Sequence, residues 1–272
     1  ELYRGVKVVT AIGAGLVSLP LLSHAPAAAE KHLIVGSDRI FSRVVDPESS
    51  ALLEELLIAQ GLNIHKQNDI RDLAGDDRLT IDLACGKQLH SDLLIIGKGV
   101  APNVQLAAAA GLDLADGIVI DAYGRSTHPD IFAAGDAAEG RDYISGLNVI
   151  QGNWMTAVEQ GENAALNMLG RNCRYPGSLK NNITEIFGID VAAIGYCHDD
   201  VNAVATSWNP LTGRFRKVFL DERERVVGAV LVGETNDAGL YYHLITTRSR
   251  FPGRAFLTGT AGYAAAQLRL AS

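Results

Sequence analysis

A run of apolar residues from Val6 to Ile12, interrupted only by Lys7 and Thr10, leads directly into Gly13-Ala14-Gly15-Leu16-Val17-Ser18. A strand, a glycine-rich turn and a helix in that order constrain this chain more than any other feature, because few folds place glycines there. Gly13 permits the tight turn, Gly15 lets a pyrophosphate approach the backbone, and the first amides of the following helix attract an anion. Ser18 stands where a third glycine is usual, and Pro20 follows it. A glycine turn that holds no ligand is the other reading of the same residues. The helix is expected over residues 19–30, weakened by Pro20 and Pro26. The acid expected about 20 residues on, at the end of the second strand, is absent. Val35, Gly36 and Ser37 occupy that region, with Asp38 slightly late and Arg39 beside it.

Strand and helix continue to alternate. Leu33 to Val35 forms the next strand, and residues 48–59 carry Leu52, Leu53, Leu56 and Leu57 at helical spacing, ending at Gly61 before a strand around Leu62-Asn63-Ile64. Such alternation predicts a parallel sheet. Leu79 to Cys85 and Gln88 to Leu89 predict a hairpin turning at Gly86-Lys87, and Leu93 to Ile96 a buried strand. Beyond Gly99 the pattern predicts a helix over residues 103–111, a short strand Ile118-Val119-Ile120, a strand Ile131-Phe132-Ala133-Ala134 running into Gly135-Asp136, and a long helix over residues 153–169. The last third reads as three β segments, Val201–Trp208, Phe215–Leu220 and Val226–Val232, then a helix over 238–247. The fold class is α/β: a Rossmann-like domain over residues 1–98, a second segment over 99–170 and a smaller α+β domain over 171–272.

Composition narrows the functional classes. A 47% hydrophobic fraction over 272 residues supports real cores, and the net charge of -7 without a dense basic run argues against nucleic acid. Cys85, Cys173 and Cys197 are odd in number and widely spaced, which fits neither a disulfide framework nor a zinc site. They are expected as buried small hydrophobes in a reducing, cytoplasmic setting. The seven histidines show no metal-ligand spacing, and Cys197-His198-Asp199-Asp200 reads as a turn. Val8 to Ala29 holds no formal charge and follows Arg4 and Lys7, so it imitates a secretory signal or a membrane span. Gly13, Gly15, Pro20, His24 and Pro26 punctuate it, and a strand follows directly, which suits a buried β-turn-α-β unit better. The chain opens on Glu1 and enters a strand almost at once, as a fragment or an edited chain would.

A second constellation is more specific. Lys98-Gly99-Val100-Ala101-Pro102-Asn103 is followed by Gly117-Ile118-Val119-Ile120-Asp121, Ser126-Thr127, Pro129-Asp130-Ile131-Phe132-Ala133-Ala134-Gly135-Asp136 and Glu139. From these residues alone, a buried strand ending in a Gly-Asp turn is the plain structural reading. The run resembles the second flavin-binding segment of the FAD-dependent pyridine nucleotide-disulfide oxidoreductase superfamily. That resemblance implies that Asp136 hydrogen-bonds the flavin ribitol, that Gly135 admits its close approach, and that Pro102 and Asn103 shape the flavin-side turn.

The resemblance extends to both sides. Gly13 to Val45 falls where that family keeps its nicotinamide-binding unit, so Gly13, Gly15 and Ser18 would receive NAD(P)H. Trp154, Ala157, Gln160-Gly161 and Asn167 are similar to the helix that presents its N-terminus to the flavin ring. Residues 186–191, 215–218 and 227–233 resemble the C-terminal domain of the branch holding rubredoxin reductases and the flavin module of nitrite reductase large subunits. The implied activity is electron transfer from a nicotinamide through FAD to rubredoxin, ferredoxin or a nitrite-reductase-type acceptor. The first FAD half, which precedes the nicotinamide domain in that family, is missing from this sequence, and with it the residues that would be catalytic. A non-catalytic or partner-dependent subunit keeping the fold without its own FAD is the alternative; a homodimer is compatible with either, and neither involves a membrane or nucleic acid.

Overall fold

The computed structural model describes residues 3–76 and 78–258. Residues 259–272 of the expected C-terminal domain lie outside the described residues. By internal packing the chain divides into two compact units, one of residues 1–99, 183–193 and 197–272, the other of residues 100–182 and 194–196.

In the first unit, β1 (Val8–Ile12), α1 (Ser18–Ser23), β2 (Glu30–Val35), α2 (Pro47–Ala59) and β3 (Leu62–Lys66) alternate as expected. A small antiparallel sheet of β4 (Ile70–Ala74), β5 (Leu79–Leu83) and β6 (Gln88–Ser91) follows, and then β7 (Leu93–Ile96). The parallel sheet runs in the order β3-β2-β1-β7, with Thr10 in register with His32 and Ile34 with His65. Both of its faces are covered, as an all-parallel sheet requires. Val9, Ala11, Leu33 and Val35 point into the core shared with Leu19, Leu53 and Leu57 of the helices, while Ile12 and Ile34 meet Ile81, Leu83 and Leu89 of the small sheet. Ile96, expected to be buried, is exposed at the end of the edge strand.

Helix α1 stops at Ser23 rather than near residue 30. Pro26 supplies no N–H and disfavours helical geometry at Ala25, so the chain leaves the helix after one and a half turns. Helix α2 is well bounded: Asp46 caps it through the amides of Glu48 and Ser49, Pro47 opens it, and Gly61 follows at a φ of 86°.

The second unit holds α3 (Gln105–Ala109), β8 (Ile118–Val119), β9 (Ala138–Arg141), β10 (Asn148–Val149) and α4 (Trp154–Met168). The expected strand over residues 131–134 does not form. The segment makes a single isolated bridge, Phe132 to Arg125, through Ser126 N–H to Ile131 O and Ala133 N–H to Gly124 O, while the Asp121 carboxylate holds the amides of Tyr123 and Arg125 in the neighbouring turn.

A five-stranded sheet closes the fold in the order β11 (Asn181–Ile186), β12 (Ile189–Gly195), β15 (Val226–Gly233), β14 (Arg214–Leu220) and β13 (Ala203–Asn209), the last three forming the expected meander. Helices α5 (Ala238–Thr246) and α6 (Arg254–Thr258) complete the described chain. Ile186, Val191, Phe215, Phe219, Val230 and Val232 join the same core as Leu53 and Leu57, so the meander and the nucleotide-type sheet of the first unit share one interior. Lys217 fastens them. Its ammonium, 3% exposed, lies 2.6 Å from Asp46, 2.7 Å from Asp199 and 3.0 Å from Glu48. Burial opposes the charge, but the three carboxylates outweigh it and push the lysine above its ordinary range.

Candidate functional site

The two glycine turns occupy different units. In the first, Gly13 adopts a φ of 94°, and a Cβ there would lie 2.2 Å from the Gly97 carbonyl. The turn is therefore compulsory glycine, for a steric as well as a conformational reason. Gly15 has open space where a side chain would be, which is the approach a pyrophosphate needs. Ser18 is fully buried, and its hydroxyl donates to Ile12 O at 3.3 Å. A Cβ on Gly97 would meet the Ser18 hydroxyl at 2.0 Å. The close helix–strand approach that a third glycine normally allows is thus supplied from the strand side by Gly97, a role that becomes visible only when β7 lies beside β1.

The loop after β2 folds back on this turn. Phe41 N–H donates to Ala14 O at 2.9 Å, Ile40 N–H to the Glu54 carboxylate at 3.1 Å, and the Ser50 hydroxyl to Ile40 O at 2.8 Å. Arg39, beyond the end of β2, makes only long contacts, 3.4 Å to Asp38 and 3.3 Å to Ser42 O, and its buried Nε has no partner. At the ends of β3 and β7, Lys98 pairs with Asp69 at 2.6 Å and holds that carboxyl below its usual range. Cys85, expected to be buried, is exposed in the β5–β6 turn, where a hydrogen bond from the Asn68 side chain lowers its thiol pKa. Cys197 is buried as expected, and Cys173 is half-buried.

In the second unit, Gly135 takes a φ of 73°, and a Cβ there would meet the Ala157 methyl at 3.3 Å. Its amide donates to Gln160 Oε1 at 2.8 Å, and Gln160 Nε2 donates to the Ser178 hydroxyl at 3.1 Å. Asp136 is exposed. Asn153 caps α4 by accepting from the Thr156 amide at 2.9 Å, and the helix ladder begins at Ala157 N–H on Asn153 O. The amides of Trp154 and Met155 thus precede the first intrahelical bond, at the positive end of a 15-residue dipole. Gly135 thus packs against Ala157, with Asp136 next to it in the same turn. Pro102 and Asn103 lie in the irregular segment before α3, Pro102 half-buried and Asn103 exposed. Gln160 and Asn153 were the residues whose roles the sequence left unassigned. Asn153 was findable as a cap, whereas Gln160 depends on the fold of residues 135–178.

Helix α4 has an inverted face pattern. Thr156, Gln160, Asn163 and Asn167 point inward, where the two asparagines donate to Cys173 O, each at 2.8 Å. Trp154, Val158, Ala165 and Leu169 form an exposed stripe, with Trp154 85% accessible.

Among the described residues no group of three or more His, Cys, Asp or Glu is placed to hold a metal, and no helix is long and apolar enough to cross a membrane.

This fold and this pair of glycine turns define a class. Residues 3–161 match the pyridine nucleotide-disulphide oxidoreductase family, and the chain belongs to it. It is 29% identical over 233 residues to an assimilatory nitrate reductase electron transfer subunit of Bacillus subtilis (strain 168), covering 83% of this chain and 29% of that protein. It is 26% identical over 259 residues to the nitrite reductase (NADH) large subunit of Escherichia coli (strain K12), covering 92% of this chain and 30% of that protein. A ferredoxin reductase from Rhodopseudomonas palustris superposes with a TM-score of 0.85 at 25% identity, covering 96% of this chain and 65% of that one. The chain therefore spans less than a third of the length of these two curated relatives.

Proposed function

We propose that this chain is the nicotinamide domain, second flavin segment and C-terminal interface domain of an FAD-dependent NAD(P)H oxidoreductase that passes electrons to a redox acceptor of the rubredoxin, ferredoxin or nitrite-reductase type. The observation that carries this reading is α4, which turns a hydrogen-bonded polar face inward and an apolar stripe outward beside the Gly135-Asp136 turn. Soluble helices normally do the reverse, and a contiguous exposed apolar stripe marks a surface that something covers. The occupant we assign is the first FAD-binding half, on the same polypeptide or a separate one.

FAD, when bound, supplies hydride acceptance and one-electron transfer. The residues present fit it: exposed Asp136 offers a carboxylate to a ribitol hydroxyl, Gly135 keeps the turn tight against Ala157, and the first amides of α4 favour negative charge near its N-terminus. Gln160 orients the turn by accepting from Gly135 N–H. For the nucleotide, Gly13 and Gly15 give the open turn, while Gly36 brings no carboxylate for a ribose and Arg39 brings an under-used guanidinium. NADPH should therefore bind no worse than NADH, both weakly, and calorimetry with each nucleotide checks this.

A second reading, a partner-dependent chain that keeps the fold without its own cofactor, draws support from α1, which ends after six residues and leaves little dipole at the glycine turn. Flavin absorbance separates the two. The chain alone should purify nearly colourless, and the chain fused behind a first FAD half from its Bacillus relative should carry flavin. In that fusion Asp136→Ala should weaken FAD by about 0.5–1.5 kcal/mol, the worth of one hydrogen bond. Stoichiometric FAD on the chain alone overturns the need for the first half, and a colourless fusion that is folded overturns the flavin reading.

A further inference from the structure

Two imidazoles meet on neighbouring strands of the parallel sheet in the first unit. His32 on β2 is buried, and its Nδ1 lies 3.2 Å from Nε2 of His65 on β3, with ring centroids 5.3 Å apart. On its other side His32 Nε2 lies 3.1 Å from Glu30. The Glu30 carboxylate can only accept, so His32 carries its proton on Nε2 and presents a lone pair at Nδ1, to which His65 Nε2–H donates. Strand alternation puts His32 on the face of Ile34, the face covered by β4–β6. Thr10 sits in register with His32, its hydroxyl buried and unpartnered, so β1 offers no charge to the pair. The covering hairpin brings Lys87, whose charge opposes a proton on either ring.

We propose that the His32–His65 pair is an acid-sensitive latch: neutral, it helps hold β4–β6 against the parallel sheet, and protonated, it releases them. A proton at His32 Nδ1 removes the acceptor and sets two N–H groups face to face. A proton at His65 Nδ1 keeps the hydrogen bond but leaves a poorly hydrated cation near Lys87. The hydrophobic contact of Ile12 and Ile34 with Ile81, Leu83 and Leu89 then stands against local charge repulsion.

Burial first, then Lys87 and His32, holds His65 down to about 4, and burial likewise lowers His32 despite Glu30. A released imidazole titrates near 6.5, so the open form takes up more protons as pH falls from about 6.5 to about 4, and docking weakens over that window. Nothing in this depends on which ligand the parallel sheet binds.

Hydrogen exchange of the full chain, corrected for intrinsic rates, tests the latch. Between about pH 7 and about pH 5, protection of residues 79–91 should fall about tenfold while that of residues 214–232 holds. His65→Gln, whose amide still donates to His32 but cannot titrate, should reduce the differential loss to the part that His32 contributes, and Lys87→Gln should shrink it. Uniform loss across both regions, or an undiminished loss in His65→Gln, overturns the proposal. If His65→Gln is already loosened at neutral pH, Lys87→Gln decides, and an unchanged acid response in that variant overturns the latch as well.

Discussion

Helices α2 and α4 are of similar length, 13 and 15 residues, yet they solve opposite problems. Helix α2 buries Leu53 and Leu57 in a core that also holds the meander, and its N-terminus is locked by Asp46 and Lys217. Helix α4 buries Thr156, Gln160, Asn163 and Asn167 and shows Trp154, Val158 and Leu169 to solvent. The difference teaches that the two units are unequally finished. The first has a continuous aliphatic interior, whereas the second keeps its shape with side-chain to backbone hydrogen bonds and leaves much of its apolar area uncovered, Val100, Leu106 and Leu147 included.

The comparison can be broken from either side. The largest effect is expected at Lys217. Lys217→Met should cost about 3–5 kcal/mol in urea unfolding, because the fully buried Asp46 loses its cationic partner. A cost under about 1 kcal/mol would mean that the joint between α2 and the meander is held by apolar packing alone. Next comes Gln160→Leu, which leaves the buried Gly135 amide without its acceptor and takes one donor from the Ser178 hydroxyl, and should cost about 1–3 kcal/mol. If that substitution stabilises the chain, the inward polar face of α4 is not what holds the second unit. The smallest effect is expected at Val158→Ser: stability of the chain alone should move by no more than about 0.5 kcal/mol, while assembly with a first FAD half should weaken measurably in a binding titration. A large loss of stability in the chain alone would show that the stripe is already packed.

Much of the first unit was legible beforehand. The apolar run before Gly13, the spacing of Leu53 and Leu57, and the three β segments from Val201 to Val232 act locally, and their elements form within a residue or two of the expected places. Two local expectations failed for identifiable reasons. Helix α1 ended early at Pro26, where chain geometry outweighed an alanine-rich continuation, and the strand at 131–134 yielded to the turn organised by Asp121. The approach of Gly135 to Ala157 was not legible from spacing, since 22 positions separate them and no periodicity links them.

By itself the sequence determined the class of fold, the two glycine turns and the order of the elements, because these rest on interactions between residues close along the chain: strand alternation, helix spacing, capping and the φ freedom of glycine. Tertiary structure alone decided what those residues face. It set Gly97 against Gly13 and Ser18, joined Lys217 to Asp46 across 171 positions, brought His65 to His32 across 33, and turned the polar side of α4 inward. Each is a contact between segments distant in sequence. Its energy comes from removing particular groups from water together, and the order of residues along the chain does not specify which groups those are.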